Sequence, residues 1–77
     1  MRTIMPLALL SPGEIGIIRE IRGGRGLVRR LFDLGFTPNS EVKVIHSDSG
    51  PVLVEVRGSR IALGRGVAMK IWVEVTN

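Results

Sequence analysis

Residues 52–63 read VLVEVRGSRIAL and contain the clearest β-strand pattern in the chain. Valine occupies positions 52, 54 and 56, while Glu55 and Arg57 fall on the opposite side. Because side chains of a β-strand alternate between two faces, this spacing predicts a strand with one apolar face. Gly58-Ser59 predicts a two-residue reversal, and Ile61-Ala62-Leu63 predicts the short strand that follows it. The segment is therefore expected to form a tight β-hairpin.

Further strands are predicted on both sides of this hairpin. Residues 41–46 alternate through Val42 and Val44, and the polar residues 47–50 turn the chain before the hairpin begins. After the hairpin, residues 64–69 have room for one helical turn. The final strand has an inward face formed by Ile71, Val73 and Val75. The C-terminal half is thus predicted to be a strand meander.

The N-terminal part predicts two more strands. Leu7 to Leu10 is apolar and ends at the turn Ser11-Pro12-Gly13, which predicts a short first strand. Ile15 to Ile21 predicts a second, with Ile15, Ile17 and Ile21 on one face. Ile18 breaks that alternation.

The hydrophobic period changes after the glycine-rich loop at residues 22–26. The apolar residues that follow have helical spacing and span an arc of roughly 160° on a helical wheel; they are Leu27, Val28, Leu31, Phe32 and Leu34. Arg25, Arg29, Arg30 and Asp33 occupy the other side. Gly35 is placed to end the helix in a left-handed conformation, and Asn39 suits a positive φ in the next turn. A helix over about residues 25–34 is predicted.

These elements together predict a mainly β fold. Five or six short strands with one inserted α-helix (about 25–34) are typical of a small SH3-like barrel, with the helix following the second strand. A chain of 77 residues is too short for two cores, so residues 1–77 are expected to form a single domain.

Charge is concentrated in one segment. The chain has eleven Lys and Arg against seven Asp and Glu, a formal net charge of +4, and five of the arginines lie between Arg19 and Arg30. There is no cysteine, which excludes disulfides and fits a reducing cytoplasm. No apolar run approaches the roughly 20 residues that a membrane span needs. A basic RNA- or DNA-binding module stays open, although three aromatic residues offer little stacking surface.

Catalytic and metal sites are poorly supported. His46, Ser47 and Asp48 have the chemistry of a hydrolytic triad, but neighbouring side chains in one turn diverge. No catalytic residue and no enzyme activity are therefore predicted. His46 is the single histidine, and its surroundings show no ligand spacing, so neither a metal ligand nor a cofactor is assigned. Direct metal binding through His46 and nearby acids stays open beside the simpler expectation of an exposed histidine.

The order of core and turn residues resembles a known family. Residues 30–44 follow the pattern RL-x-x-LG-(apolar)-x-PG-x-x-V-x-V, except that Asn39 or Ser40 stands where glycine is usual. Residues 10–16 fit L-x-x-G-E-x-G. The pattern continues in order through Gly50-Pro51-Val52, Val54, Val56, Gly58, Ile61-Ala62-Leu63, Ala68, Ile71 and Val73. Over nearly its whole length, the chain resembles the FeoA family, small cytoplasmic partners of the ferrous iron transporter FeoB.

The resemblance implies an SH3-like fold and a role in ferrous iron uptake, as an adaptor or regulator that binds the cytosolic GTPase region of a FeoB-type transporter. It also implies kinship with the C-terminal domains of iron-dependent repressors, and hence an alternative role as a metal-binding or nucleic-acid-associated module. A cytoplasmic location and no specific nucleic acid are expected. The oligomeric state stays open, including a homodimer through exposed strand edges.

The partner surface is predicted from the helix. If Leu27, Leu31 and Leu34 are buried to complete the core, the functional residues must lie on the other arc, where Arg25, Arg29 and Arg30 are expected to bind an acidic surface of the transporter.

Overall fold

The computed structural model describes residues 2–76. Its elements, in chain order, are β1 (Arg2–Pro6), a 3₁₀ turn (Leu7–Leu9), β2 (Ile15–Ile21), α1 (Arg25–Asp33), β3 (Glu41–Ser47), β4 (Val52–Val56), β5 (Ser59–Leu63), α2 (Arg65–Ala68) and β6 (Ile71–Thr76). Both helices are short, and within residues 2–76 neither they nor any other helix has the length and apolar content to span a bilayer.

The six strands form one antiparallel sheet in the order β1-β6-β2-β3-β4-β5. β6 comes last in the chain, yet it lies between β1 and β2 and pairs with both. The helix α1 lies between β2 and β3 along the chain, as predicted. The mainly β architecture and the inserted helix are therefore confirmed.

The predicted alternation of the C-terminal strands is confirmed by their burial. Val52, Val54 and Val56 are buried, and β6 buries Ile71, Val73 and Val75. The β3 valines lie directly opposite those of β4: Val42 pairs with Val56 and Val44 with Val54. Each fully buried side chain of this size contributes roughly 1.5–3 kcal/mol, so this valine face supplies much of the folding free energy.

The prediction of a strand at Leu7–Leu10 is wrong. The first strand is β1, and the chain then turns through Leu7–Leu9, with the Leu10 N–H donating to the Leu7 carbonyl at 3.1 Å. Pro6 ends the strand because it has no N–H to donate to a ladder. Leu7 and Leu10 are buried all the same, and a short apolar run does not show whether it is a strand or a turn.

The predicted face of β2 is also wrong. Gly16 and Ile18 point inward, whereas Ile15 is 48% exposed. A register shift between Ile18 and Glu20 then brings Ile21 back against the core. Glycine has no side chain to mark the inward face, and the bulge changes the alternation further along the strand. Because of this glycine and this bulge, the inward face of β2 could not be identified from the spacing of its isoleucines.

The β4–β5 hairpin turns one residue earlier than predicted. Val56 pairs with Ser59, so the two turn residues are Arg57 and Gly58 rather than Gly58 and Ser59. Both have positive φ, 51° at Arg57 and 80° at Gly58. Two positive values in succession characterise the type I′ turn that suits a two-residue hairpin. Arginine is an uncommon residue for the first position of such a turn, so the position of this turn could not be predicted from residue preference.

Gly16→Ala should destabilise the fold, because a Cβ at this position would lie 2.7 Å from Cγ2 of Val73. Overpacking of this kind typically costs about 1–3 kcal/mol. Urea denaturation measures the loss, with Gly66→Ala as the control, since a Cβ at Gly66 meets no atom within 4 Å. Equal stability of Gly16→Ala and the wild type would show that β2 and β6 do not approach so closely.

Candidate partner-binding site

Backbone geometry sets both ends of α1. Gly24 precedes the helix with extended backbone, φ −72° and ψ 170°, and its carbonyl accepts from the N–H of Val28 at 3.0 Å. At the other end Gly35 has φ 105°, as predicted for a left-handed terminator. The Phe36 N–H donates to the Leu31 carbonyl at 2.9 Å, and that of Gly35 to Phe32 at 3.0 Å. These two bonds form a Schellman motif, which directs Phe36 into the core.

The helix is attached to the core by a narrow apolar stripe. Within residues 25–33 only Leu31 is buried, at 2% exposure, while Leu27 and Val28 are partly buried. The prediction that Leu34 completes the core is wrong, because Leu34 follows the last helical residue and is 48% exposed. Phe32 is 42% exposed. The valine strands already fill the interior, so they leave part of the helix's apolar arc uncovered.

The structure divides the cluster of five arginines into two groups, and the first is engaged with the sheet. Arg19 binds Glu74 (Nε to Oε1, 3.1 Å) and donates to Oδ1 of Asn39 at 2.5 Å. Arg22 pairs with Glu20 at 3.4 Å and places its guanidinium 3.8 Å from the ring centroid of Trp72. These two arginines stabilise β2 against its neighbours.

The second group is exposed on α1. Arg25, Arg29 and Arg30 lie in solvent, and the side chain of none of them forms a hydrogen bond or ion pair with another residue in the range 2–76. Each guanidinium therefore keeps its planar array of donors available to carboxylates. This separation of structural from available arginines could not be deduced from their spacing in the sequence.

A groove of about 710 Å³ runs along one side of α1 and contains two of the available arginines. Its lining residues come from the loop before the helix and from the helix itself: Gly23, Arg25, Gly26, Val28, Arg29, Phe32 and Asp33. Arg30 does not line it, since the next residue of a helix is rotated by about 100°. The structure thus brings Arg25 and Arg29 together and places Arg30 apart. Sequence reasoning missed Val28 and Phe32, which it had assigned to the buried arc.

A second depression of about 540 Å³ lies near the β2–β3 pair. It is lined by Ile15, Asn39, Ser40, Glu41, Lys43, Glu55, Arg57 and Gly58. Two acidic and two basic side chains balance there, so the depression has no net charge to select an ion. The groove beside α1 is the stronger candidate, because its two arginines outnumber its single acid, Asp33.

His46 is exposed at the end of β3, as predicted. Its Nε2 lies 3.0 Å from Oδ2 of Asp48, and both side chains are largely in solvent. The Ser47 hydroxyl instead accepts a hydrogen bond from Nη2 of Arg65 at 3.0 Å. Among the described residues, no three His, Asp or Glu side chains converge as metal ligands would. Zinc sites usually have three or four protein ligands, and this pair supplies two.

Metal binding at His46 should be weak for this reason. Calorimetric titration with Zn²⁺, and with Fe²⁺ under anaerobic conditions, should give low affinity that His46→Ala hardly changes. Tight, saturable binding that this substitution abolishes would instead establish a metal site at the end of β3.

Leu31 and Leu34, which belong to the same predicted apolar arc, should respond differently to truncation. Leu31→Ala should cost about 2–5 kcal/mol of folding free energy through the cavity it leaves. Leu34→Ala should cost less than about 1 kcal/mol, because nearly half of that side chain is already in water. Urea denaturation of both variants tests the packing of α1, and equal losses would show that both leucines are buried.

Comparison with known proteins shows which family this chain is similar to. The model of the FeoA domain matches residues 5–75. The chain is 46% identical over 69 residues to the "Putative Fe(2+) transport protein A" of Methanocaldococcus jannaschii, covering 90% of this chain and 84% of that protein. A crystal structure of the iron uptake regulatory protein FeoA superposes with a TM-score of 0.87 at 35% identity, covering 92% of this chain and 96% of the other.

The predicted SH3-like fold is confirmed by a second solved structure. The zinc complex of Stenotrophomonas maltophilia FeoA, described as a procaryotic SH3 domain protein, has a TM-score of 0.80 at 27% identity and covers 90% of this chain and 88% of that one. A manganese-dependent transcriptional repressor shares the fold at a TM-score of 0.87 and 20% identity, with 99% of this chain matching 44% of the repressor. The expected structural kinship with repressors is therefore seen at the level of the fold.

Proposed function

Because the chain belongs to the FeoA domain family, we propose that it is a non-enzymatic accessory protein of ferrous iron transport that binds the cytosolic GTPase region of a FeoB-type transporter. The M. jannaschii relative carries the name of an Fe(2+) transport protein, which supports the transport role. In this proposal the protein acts in the cytoplasm, and binding another protein is its biochemical activity.

One observation carries the proposed partner surface: the exposed arginines Arg25 and Arg29 flank the groove on α1 and have no partner among residues 2–76. An arginine whose side chain binds no other part of its own chain contributes little to folding and is available for recognition. Arginine is enriched at protein interfaces, where its planar donors match carboxylates. An acidic surface of the transporter's cytosolic domain is the complementary partner.

The exposed aromatic ring in the groove favours a protein partner over a nucleic acid. Phe32 is 42% exposed and lines the groove together with the partly buried Val28, so the groove has an apolar surface beside its charge. Protein interfaces combine such an apolar centre with charged residues around it. Nucleic-acid affinity would instead come from many phosphate contacts. Arg19 and Arg22, which would have to extend such a basic surface, are bound to the sheet.

Reversing two charges tests the proposed surface. Arg25→Glu combined with Arg29→Glu should weaken binding to the transporter's isolated cytosolic domain by more than about tenfold, since truncating a desolvated charge pair typically costs about 2–5 kcal/mol. Stability should change little, because exposed substitutions usually stay within about 0.5 kcal/mol. Biolayer interferometry measures the binding and urea denaturation the stability.

The matched control is Lys43→Glu with Lys70→Glu, which changes the net charge equally at two exposed positions outside α1. Arg30→Glu, tested alone, shows whether the third arginine of the predicted surface takes part. If the control pair weakens binding as much as the α1 pair, only overall charge matters. If the folded α1 variant binds like the wild type, this surface is not the interface.

A further inference from the structure

We propose that the groove beside α1 binds an acidic amphipathic helix of its partner, which lies along α1 with its carboxylates on Arg25 and Arg29. This inference rests on the proposed function, because it concerns the same surface. It adds the structural class of the segment that binds and the pattern of residues that the segment must carry.

The spacing of the exposed residues points to a helix. Arg25, Val28, Arg29 and Phe32 stand at positions i, i+3, i+4 and i+7, which together form one stripe along α1. A stripe with this spacing is the surface through which helices pack against one another. The chain's own core uses a different stripe, centred on Leu31. The helix thus has a second packing surface that its own sheet leaves uncovered.

The charges on this stripe define the complementary pattern. Arg25 and Arg29 are four residues apart, which is about 6 Å along the helix axis. Two carboxylates one helical turn apart on a partner helix have the same separation. Apolar side chains at the third and seventh positions after the first carboxylate can then pack against Val28 and Phe32. Helix-in-groove recognition generally uses anchors at such spacings.

Two residues that line the groove, Gly26 and Asp33, favour a helix over a membrane surface. Gly26 lines the groove, and the space where its Cβ would lie is open, with no atom within 4 Å. A partner helix can therefore approach the backbone of α1 closely at this glycine, because no side chain stands in the way. Asp33 also lines the groove and would repel anionic lipid or phosphate. The same carboxylate can pair with a basic residue at the edge of a partner helix.

The test uses two synthetic 16-residue peptides as probes. The first carries Glu at positions i and i+4 and Leu at i+3 and i+7 in an alanine-rich helix, and the second has the same composition with these positions scrambled. The full-length protein should bind the patterned peptide at least tenfold more tightly by fluorescence anisotropy. Equal affinity for both peptides would overturn the proposal, because charge alone would then account for binding.

A pair of glycine variants tests whether the groove itself is occupied. Gly26→Leu should weaken binding of the patterned peptide at least tenfold by filling the groove, while Gly66→Leu on α2 should leave it unchanged. Both positions are helical with open space around the absent Cβ, so both variants should fold. Urea denaturation confirms this. An unchanged affinity in folded Gly26→Leu would contradict the proposal.

Two further measurements separate this inference from the proposed function. The cytosolic domain of the transporter could lose affinity for the Arg25→Glu and Arg29→Glu variant but not for Gly26→Leu. That result would support the proposed function and contradict the inference that a helix binds in the groove. If the patterned peptide binds selectively but the cytosolic domain does not bind at all, the groove binds a helix as proposed and the transporter is not the partner. The protein could instead bind tightly at physiological salt to vesicles of phosphatidylglycerol and phosphatidylcholine, and not to the peptide. That result would show that this surface binds a membrane and not a helix.

Discussion

The whole fold relies on the pairing of β6 with β2, which connects the β1–β6 pair to the other four strands. β6 lies between β1 and β2, so it joins the two ends of the chain into one sheet. Its residues Ile71 and Val73 are fully buried. Val73 can approach β2 this closely because Gly16 has no side chain. Without this pairing the β1–β6 pair would be separated from the other four strands, and the valines of β3 and β4 would lose the buried side chains of β6 from their cluster.

The same constraint explains why α1 is free to bind a partner. Strands supply most of the buried side chains, and within residues 25–33 the helix adds only Leu31 to the fully buried set. The Schellman motif after the helix places Phe36 in the core and fixes the direction of α1. Because the core needs so little of the helix, Phe32 and the arginines beside it remain on the surface. A small sheet-based core thus holds the helix firmly and still exposes one of its packing stripes.

The sequence predicts the parts of the fold where period-2 alternation is uninterrupted. Val52, Val54 and Val56 have one apolar residue at every second position, and they are buried as expected. The strand predictions failed beside glycine and proline. Glycine has no side chain to show which face of a strand points inward, and proline has no N–H to donate to a neighbouring strand. Gly16 hides the inward face of β2, and Pro6 turns an apolar run into a 3₁₀ turn instead of a strand.

The candidate site was predictable only in its charged residues. Helical periodicity places Arg25, Arg29 and Arg30 outside the core, and all three are exposed. It cannot show that Arg19 and Arg22 are held by Glu74 and Trp72, because those contacts join residues far apart in the sequence. Nor can it show that Phe32 stays exposed, since that depends on how much of the apolar arc the sheet covers.

Mapping the interface by NMR tests whether α1 is the surface that binds the transporter. Titration of the ¹⁵N-labelled protein with the unlabelled cytosolic domain of the transporter should shift amide resonances in residues 23–33. Resonances of β4 and β5 should stay in place and serve as the internal reference. Shifts confined to β4 and β5, with α1 unchanged, would contradict the assignment of α1 as the surface that binds the transporter.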